Sequence, residues 1–197
     1  MISQNREKFK AVSIKTGLIF GKLPLTPNQW TLFSLIPALL CFYFLLKANF
    51  VFAVIFFALA AFIDVIDGAV ARVQGKTTKK GAYLDTITDR YVELIVFLGL
   101  FLTQLPLFYF SSQFWIFLAL FGSIMTTYSK AAAKEKLLLE SELKGGLMER
   151  PERLILLFLV LLSAIFNLQY TVYLIALFAV LTNLSAFQRI LKAFSLA

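Results

Sequence analysis

The feature that most constrains this chain is a succession of apolar runs, each close to the length of one bilayer crossing. The runs fall at roughly 29–46, 50–72, 82–104, 112–130, 152–168 and 170–189. A helix needs about 20 residues to cross the hydrocarbon core, with a range near 17–25. Only 15% of the 197 residues are charged and 60% are hydrophobic, against about 25% and 45–50% in soluble domains. A chain so poor in polar surface cannot cover itself in water. The expected fold is an all-α integral membrane protein, a single membrane domain over 1–197 with a six-helix transmembrane bundle over 26–197. Disorder, collagen and coiled coil are excluded on the same grounds.

The first 25 residues differ from the rest. Arg6, Lys8, Lys10, Lys15 and Lys22 alternate with Phe9, Val12, Ile14, Leu18, Ile19 and Phe20, a pattern suited to an amphipathic helix lying in the interface against membrane lipids with anionic headgroups. Thr26-Pro27-Asn28-Gln29 then supplies an N-cap, a proline at N1 and a glutamine at N3, which predicts a helix start. Pro106 and the Glu/Lys/Gly stretch 134–149 interrupt the apolar pattern, and Asn167-Leu168-Gln169 leaves only a tight turn between the last two runs. The N-terminal segment, the 72–80 and 130–153 loops and the C-terminus hold 17 of the 19 basic residues. Both termini are therefore expected on the cytoplasmic side of the cell membrane. The net charge of +8 is explained by that asymmetry without a nucleic-acid partner.

Catalytic options are narrow. The chain has no His, and its one cysteine, Cys41, sits in an apolar run, so histidine bases, disulfides and thiolate metal sites are excluded. Five of the eleven acidic residues, Asp64, Asp67, Asp85, Asp89 and Glu93, fall within or at the ends of membrane runs. One such group at the bilayer centre costs at least about 2.5–3.5 kcal/mol on insertion scales. Asp64 and Asp67 (i, i+3) share one helix face, and Asp85 and Asp89 (i, i+4) share another. The short 72–80 loop predicts that the two helices are antiparallel neighbours with both pairs near the same end. Four carboxylates without His or Cys suit hard cations, two Mg²⁺ or Mn²⁺ ions, an arrangement that clamps phosphoryl groups. Gly68 and Ala71 remove bulk beside Asp67, while Arg72, Lys76, Thr77, Thr78, Lys79 and Lys80 offer charge and hydroxyls to phosphates. The competing reading is a set of interfacial aspartates solvated at helix ends.

The stretch Asp64-Val-Ile-Asp67-Gly68-Ala-Val-Ala71-Arg72, followed after eight residues by Gly81-Ala-Tyr-Leu-Asp85-Thr-Ile-Thr-Asp89, resembles the signature of the CDP-alcohol phosphotransferases at every fixed position. The six-span layout and the Thr-Pro-Asn entry to the first span agree with it. The resemblance implies an enzyme that transfers a phosphoalcohol from a CDP-linked lipid donor to an acceptor hydroxyl and releases CMP. It implies that Asp64, Asp67 and Asp85 hold the metals, that Asp89 contacts a metal and is the catalytic base, and that the protein is a homodimer. Gly68, Arg72 and Thr78 would hold the CDP donor, with Pro27 and Asn28 at its nucleotide end.

Lys130, Arg150, Arg153 and Arg189 lie at the expected cytoplasmic ends of the last three spans. The positive-inside rule alone puts basic residues there; together they also form a cradle suited to a second phosphate, arginine favouring bidentate contact. The segment Gly146-Leu-Met-Glu-Arg150-Pro-Glu-Arg153, with Tyr128-Ser-Lys130 before it and Gln188-Arg189 after it, is similar to the inositol-phosphate-accepting branch of the family. By that similarity Lys130, Arg150 and Arg189 grip the phosphate of a small phosphorylated alcohol. That branch often has an Arg two residues after the Lys, where this chain has Ala132. Either Lys134 substitutes, or the acceptor differs, for example glycerol 3-phosphate. Glu93 reads equally as a hydrogen-bond partner behind the site or as half of an ion pair with an unidentified cation. Arg90 points about 100° away from Asp89 on an ideal helix and is not read as catalytic.

Two other function classes compete. A cation or proton transporter also carries intramembrane carboxylates, but it would spread them along a route rather than cluster them at one side. An intramembrane prenyltransferase binds diphosphate through aspartates, at spacings this chain does not have.

Overall fold

The computed structural model describes residues 13–136 and 146–196, and among these every regular element is helical, apart from an isolated bridge between Phe108 and Phe110. The basic and apolar positions Arg6, Lys8, Phe9, Lys10 and Val12 of the expected interfacial segment lie outside the described residues. The helices are α1 (13–20), α2 (Pro27–Phe33), α3 (Leu35–Leu46), α4 (Phe50–Val73), α5 (Lys79–Leu102), α6 (Ser112–Glu135), α7 (Arg150–Phe166) and α8 (Leu168–Leu196).

Their starts follow local chemistry. Thr26 and Gln29 form a reciprocal capping box ahead of Pro27. Asn49, Thr78 and Ser111 each accept a hydrogen bond from a backbone N–H in the first turn of α4, α5 and α6, satisfying donors that a helix cannot pair internally. The expected first span is divided at Ser34 into α2 and α3. Pro37 has no N–H for the Phe33 carbonyl, which loosens the ladder at that point, and the Ser34 hydroxyl donates to the Thr31 carbonyl at 2.7 Å. A single extended residue, Asn167, separates α7 from α8, and α8 continues well past the expected end at 189.

Among the described residues, four helical stretches are long and apolar enough to cross a membrane: Pro27–Leu46, Phe50–Val73, Ser112–Glu135 and Leu168–Ser195. The expected runs at 82–104 and 152–168 also fold as helices, α5 and α7. They fall short by composition and length: α5 carries Asp85, Asp89, Arg90 and Glu93, and α7 has 17 residues.

The main core gathers Leu45, Phe57, Phe97, Leu161 and Phe178 from α3, α4, α5, α7 and α8. Helix α6 packs most extensively on α8, and Gly122 permits the approach, since a Cβ there would stand 2.4 Å from the Thr182 hydroxyl. Large apolar side chains such as Tyr43, Phe62, Phe117 and Phe187 remain exposed around the bundle. So much exposed apolar surface belongs in lipid rather than water.

The aspartates of α4 and α5 meet as expected, although the helices themselves stand apart. Helices α4 and α5 are not close-packed neighbours; α3 lies against both, α7 lies against α4, and α4 and α5 hardly approach one another directly. The five-residue connection 74–78 joins them at one end. The space left between them is where the carboxylates point.

Candidate active site

On α4, Asp64 and Asp67 sit one turn apart, and on α5, Asp85 and Asp89 do the same. Helical periodicity turns both pairs into the α4–α5 gap. Carboxylate oxygens of Asp64, Asp67 and Asp85 lie within 4.8 Å of one another. Asp67 is buried, and its Oδ2 accepts a 2.5 Å hydrogen bond from the Thr31 hydroxyl of α2. Such a bond to an ionised group is worth about 1.5–3 kcal/mol and leaves the remaining lone pairs of Asp67 facing its neighbours. The sequence reading missed Thr31, although it stands one turn after Pro27 on the same helix face.

Asp89, the fourth expected ligand, is buried, and its carboxylate is engaged by Arg150. One terminal nitrogen of Arg150 donates to both Asp64 and Asp89. Arg150 was expected in an acceptor-phosphate cradle; the structure places it at the junction of that cradle and the aspartates. The four carboxylates fit a hard-cation site: three offer convergent oxygens at metal-bridging separation, and the ion pairs of Arg150 reach only two of the four. Like charges this close are held apart by several kcal/mol unless cations intervene.

Two clefts open on either side of this cluster. The first, of about 180 Å³, is lined by Pro27, Asn28, Gly68, Arg72 and Thr78 together with Asp67 and Asp85, so all five expected donor residues share it. Gly81 makes their convergence possible, because a Cβ there would stand 3.2 Å from both the Asn28 Oδ1 and the Thr78 hydroxyl. Arg72 lies across Gly68, its Nη1 3.1 Å from where a Cβ would be, and its Nη2 donates to the Ser13 hydroxyl of α1 at 2.8 Å.

The second cleft, of about 290 Å³, is lined by Asp85, Asp89, Lys130, Arg150, Arg153 and Arg189. Every expected acceptor residue is there, and Asp85 lines both clefts. The residues are not equivalent. Arg153 is 2% exposed and pairs with Glu93, while Arg189 donates to the Thr126 carbonyl at 2.5 Å. The cation left unidentified for Glu93 is thus a pair, Arg153 and Arg90. Lys130 and Arg150 are half-buried.

A family model described as CDP-alcohol phosphatidyltransferase matches residues 24–185. The chain belongs to that family and is a transferase. It is 34% identical over 194 residues to an archaetidylinositol phosphate synthase of Pyrococcus horikoshii, covering 98% of this chain and 96% of that one. It is 36% identical over 138 residues to a phosphatidylinositol phosphate synthase of Corynebacterium glutamicum, covering 68% and 61% of the two chains. Among solved structures, the phosphatidylinositol phosphate synthase of Mycobacterium tuberculosis with CDP-DAG bound superimposes with a TM-score of 0.79 at 22% identity, covering 94% of each chain. The same enzyme in complex with manganese and citrate gives a TM-score of 0.80 at 24% identity, over 93% of this chain and 89% of that one. These structural matches establish a shared fold.

Proposed function

We propose that this enzyme makes a phospholipid precursor by transferring a phosphatidyl or archaetidyl group from a CDP-linked lipid to the hydroxyl of an inositol phosphate, releasing CMP. The observation that carries the reading is the pair of clefts meeting at Asp85, one lined by the donor motif and the other by five basic residues, Arg90 among them. The relatives' names point to the same acceptor. A basic cleft beside the aspartates suits an acceptor that already bears a phosphate, whereas a neutral alcohol would need no such cradle.

Asp64, Asp67, Asp85 and Asp89 would hold two divalent cations, Mg²⁺ or Mn²⁺, which when bound supply charge compensation for the diphosphate and the departing CMP. Pro27 and Asn28 border the nucleotide end of the donor cleft. Gly68 gives the diphosphate access to the α4 backbone, and Arg72 and Thr78 hold its oxygens. Lys130, Arg150 and Arg189 draw the acceptor phosphate into the second cleft, with Arg153 behind them. Asp89 lines that cleft and takes the proton from the acceptor hydroxyl as its oxygen attacks the lipid-bearing phosphorus. The bond from that phosphorus to the bridging oxygen breaks, and the electron pair leaves with CMP. Because Arg150 touches Asp89 and lines the acceptor cleft, binding of the acceptor phosphate bears directly on the base.

The same reading has α5 and α7 completing a six-span bundle, α1 and the residues before it lying in the interface, and both termini and the active-site opening facing the cytoplasm. Helix α5, with 24 residues, extends about 36 Å at 1.5 Å per residue, enough to cross the hydrocarbon core. Its charged residues all precede Leu94, toward the end that follows the basic 72–80 loop. The family resemblance also supports a homodimer.

Purified enzyme given CDP-lipid, Mn²⁺ and inositol phosphate releases CMP, and excess EDTA abolishes that release. Absence of CMP with inositol phosphate, against release with glycerol 3-phosphate, would transfer the reading to the second acceptor. Metal-dependent ion flux in liposomes without CMP release would instead make the protein a transporter.

A further inference from the structure

Of the five acidic residues in the membrane runs, Glu93 is the one that the proposed chemistry leaves unused. It lies one turn from Asp89 on the same face of α5 and is 3% exposed. Its two carboxylate oxygens take different partners. Arg153 Nε donates to Oε1 at 3.3 Å, and Arg90 Nη1 donates to Oε2 at 3.0 Å. Arg153 continues the chain, its Nη1 donating to the Thr126 hydroxyl at 2.5 Å. The Thr126 carbonyl accepts from Arg189 Nη1 at 2.5 Å, and Arg189 Nη2 reaches the Met148 carbonyl at 3.4 Å. A single line of contacts therefore runs from α5 through α7 and α6 to α8, and ends on the segment just before α7.

Asp89 and Glu93 stand i, i+4 on α5, while Arg150 and Arg153 stand i, i+3 on α7. The pairs Asp89–Arg150 and Glu93–Arg153 form two successive rungs between helices whose backbones do not pack directly on one another. Helix α7 itself packs on α4 and α8, and these side chains tie it directly to α5. The upper rung carries the proposed base and borders the acceptor cleft; the lower rung is sealed from solvent.

We infer that Glu93 is a positioning residue for the acceptor half of the site. By holding Arg153 it ties α7 to α5 beside the Asp89–Arg150 pair, and through Thr126 it holds Arg189 on the opposite wall. The inference rests on reading the basic cleft as the acceptor site. A role in stability alone does not account for the arrangement, because a buried ion pair can often be replaced by apolar side chains without loss of stability. What apolar side chains cannot do is aim two guanidinium groups in fixed directions.

The test is a split of kinetic constants in the full-length enzyme carrying Glu93→Gln or Glu93→Asp. The Gln variant keeps the size but removes the charge and turns an amide N–H toward an arginine. Its acceptor KM rises on the order of tenfold to a hundredfold, as expected for a misplaced binding group, while the donor KM stays within about twofold. Glu93→Asp recovers part of the acceptor KM. A lowered Tm with unchanged acceptor KM, or an equal rise in both KM values, would overturn the inference. If Glu93→Gln does not fold, the double variant Glu93→Gln/Arg153→Gln removes both buried charges together. Its acceptor KM remains raised if the inference holds, and a normal acceptor KM in the double variant refutes it. Should the unaltered enzyme take glycerol 3-phosphate in place of inositol phosphate, the acceptor assignment fails by itself, and the same split is measured with that substrate.

Discussion

Replacing Gly17 by alanine tests whether α1 is part of the donor site or only an anchor beside it. A Cβ at Gly17 would stand 2.5 Å from the Ala69 carbonyl oxygen and 2.5 Å from Val73 Cγ2. The first of these is backbone of α4 and cannot rotate away. Ordinary contact begins near 3.4 Å, so α1 must retreat by about 0.9 Å at this point, a large shift for close-packed elements. One turn earlier on α1, the Ser13 hydroxyl accepts from Arg72 Nη2 at 2.8 Å, and a retreat of that size carries it out of hydrogen-bonding range. Overpacking costs about 1–3 kcal/mol, which at about 2–4 °C per kcal/mol for a chain of this length lowers Tm by about 2–12 °C. Loss of the Ser13 contact frees Arg72 and removes about 1 kcal/mol of preorganisation, equivalent to about a fivefold rise in donor KM. The assay is CMP release at varied CDP-lipid concentration, paired with thermal unfolding in detergent. Ser13→Ala separates the two effects, raising donor KM with little change in Tm. Donor KM unchanged in both variants would refute the coupling of α1 to Arg72, and a Tm within about 1 °C of the parent in Gly17→Ala would refute the close approach itself.

Three other outcomes are expected. Gly122→Ala drives a Cβ to within 2.4 Å of the Thr182 hydroxyl and 2.7 Å of Asn183 Nδ2, so it destabilises the α6–α8 pair by about 2–4 kcal/mol through overpacking and disturbed hydrogen bonds; thermal unfolding measures it, with donor KM unaltered at low temperature. Asp89→Asn retains CDP-lipid binding by calorimetry and loses turnover by at least about a hundredfold; an active variant removes Asp89 as the base. Asp67→Asn weakens Mn²⁺ binding, followed by electron paramagnetic resonance, by about tenfold or more, because one of three convergent oxygen donors loses its charge; unchanged Mn²⁺ affinity would separate Asp67 from the metal site.

How far the site was legible follows from which interactions are local. The spacings Asp64/Asp67 and Asp85/Asp89 place each pair on one helix face through the 3.6-residue period, and the structure keeps them there. The capping box at Thr26 and Gln29 likewise depends on residues three apart. Pro27, Asn28, Gly68, Arg72 and Thr78, expected at the donor, do line one cleft. Thr31 went unnoticed because its partner, Asp67, is 36 positions away. Arg150 was assigned by its neighbours in sequence, yet its ion pairs reach back 86 positions to Asp64 and 61 to Asp89.

What the amino-acid order settled by itself is therefore periodic and compositional. It dictates apolar helices and two aspartate pairs, each on one helix face at a spacing that suits hard cations. Only tertiary structure decided that α4 and α5 stand apart, that Arg150 spans Asp64 and Asp89, and that Glu93 is shared by Arg90 and Arg153. The physical reason is range. Helical period and capping act over three or four residues, whereas the partner of a buried charge is chosen by how whole helices pack, through groups that meet only after the chain has folded.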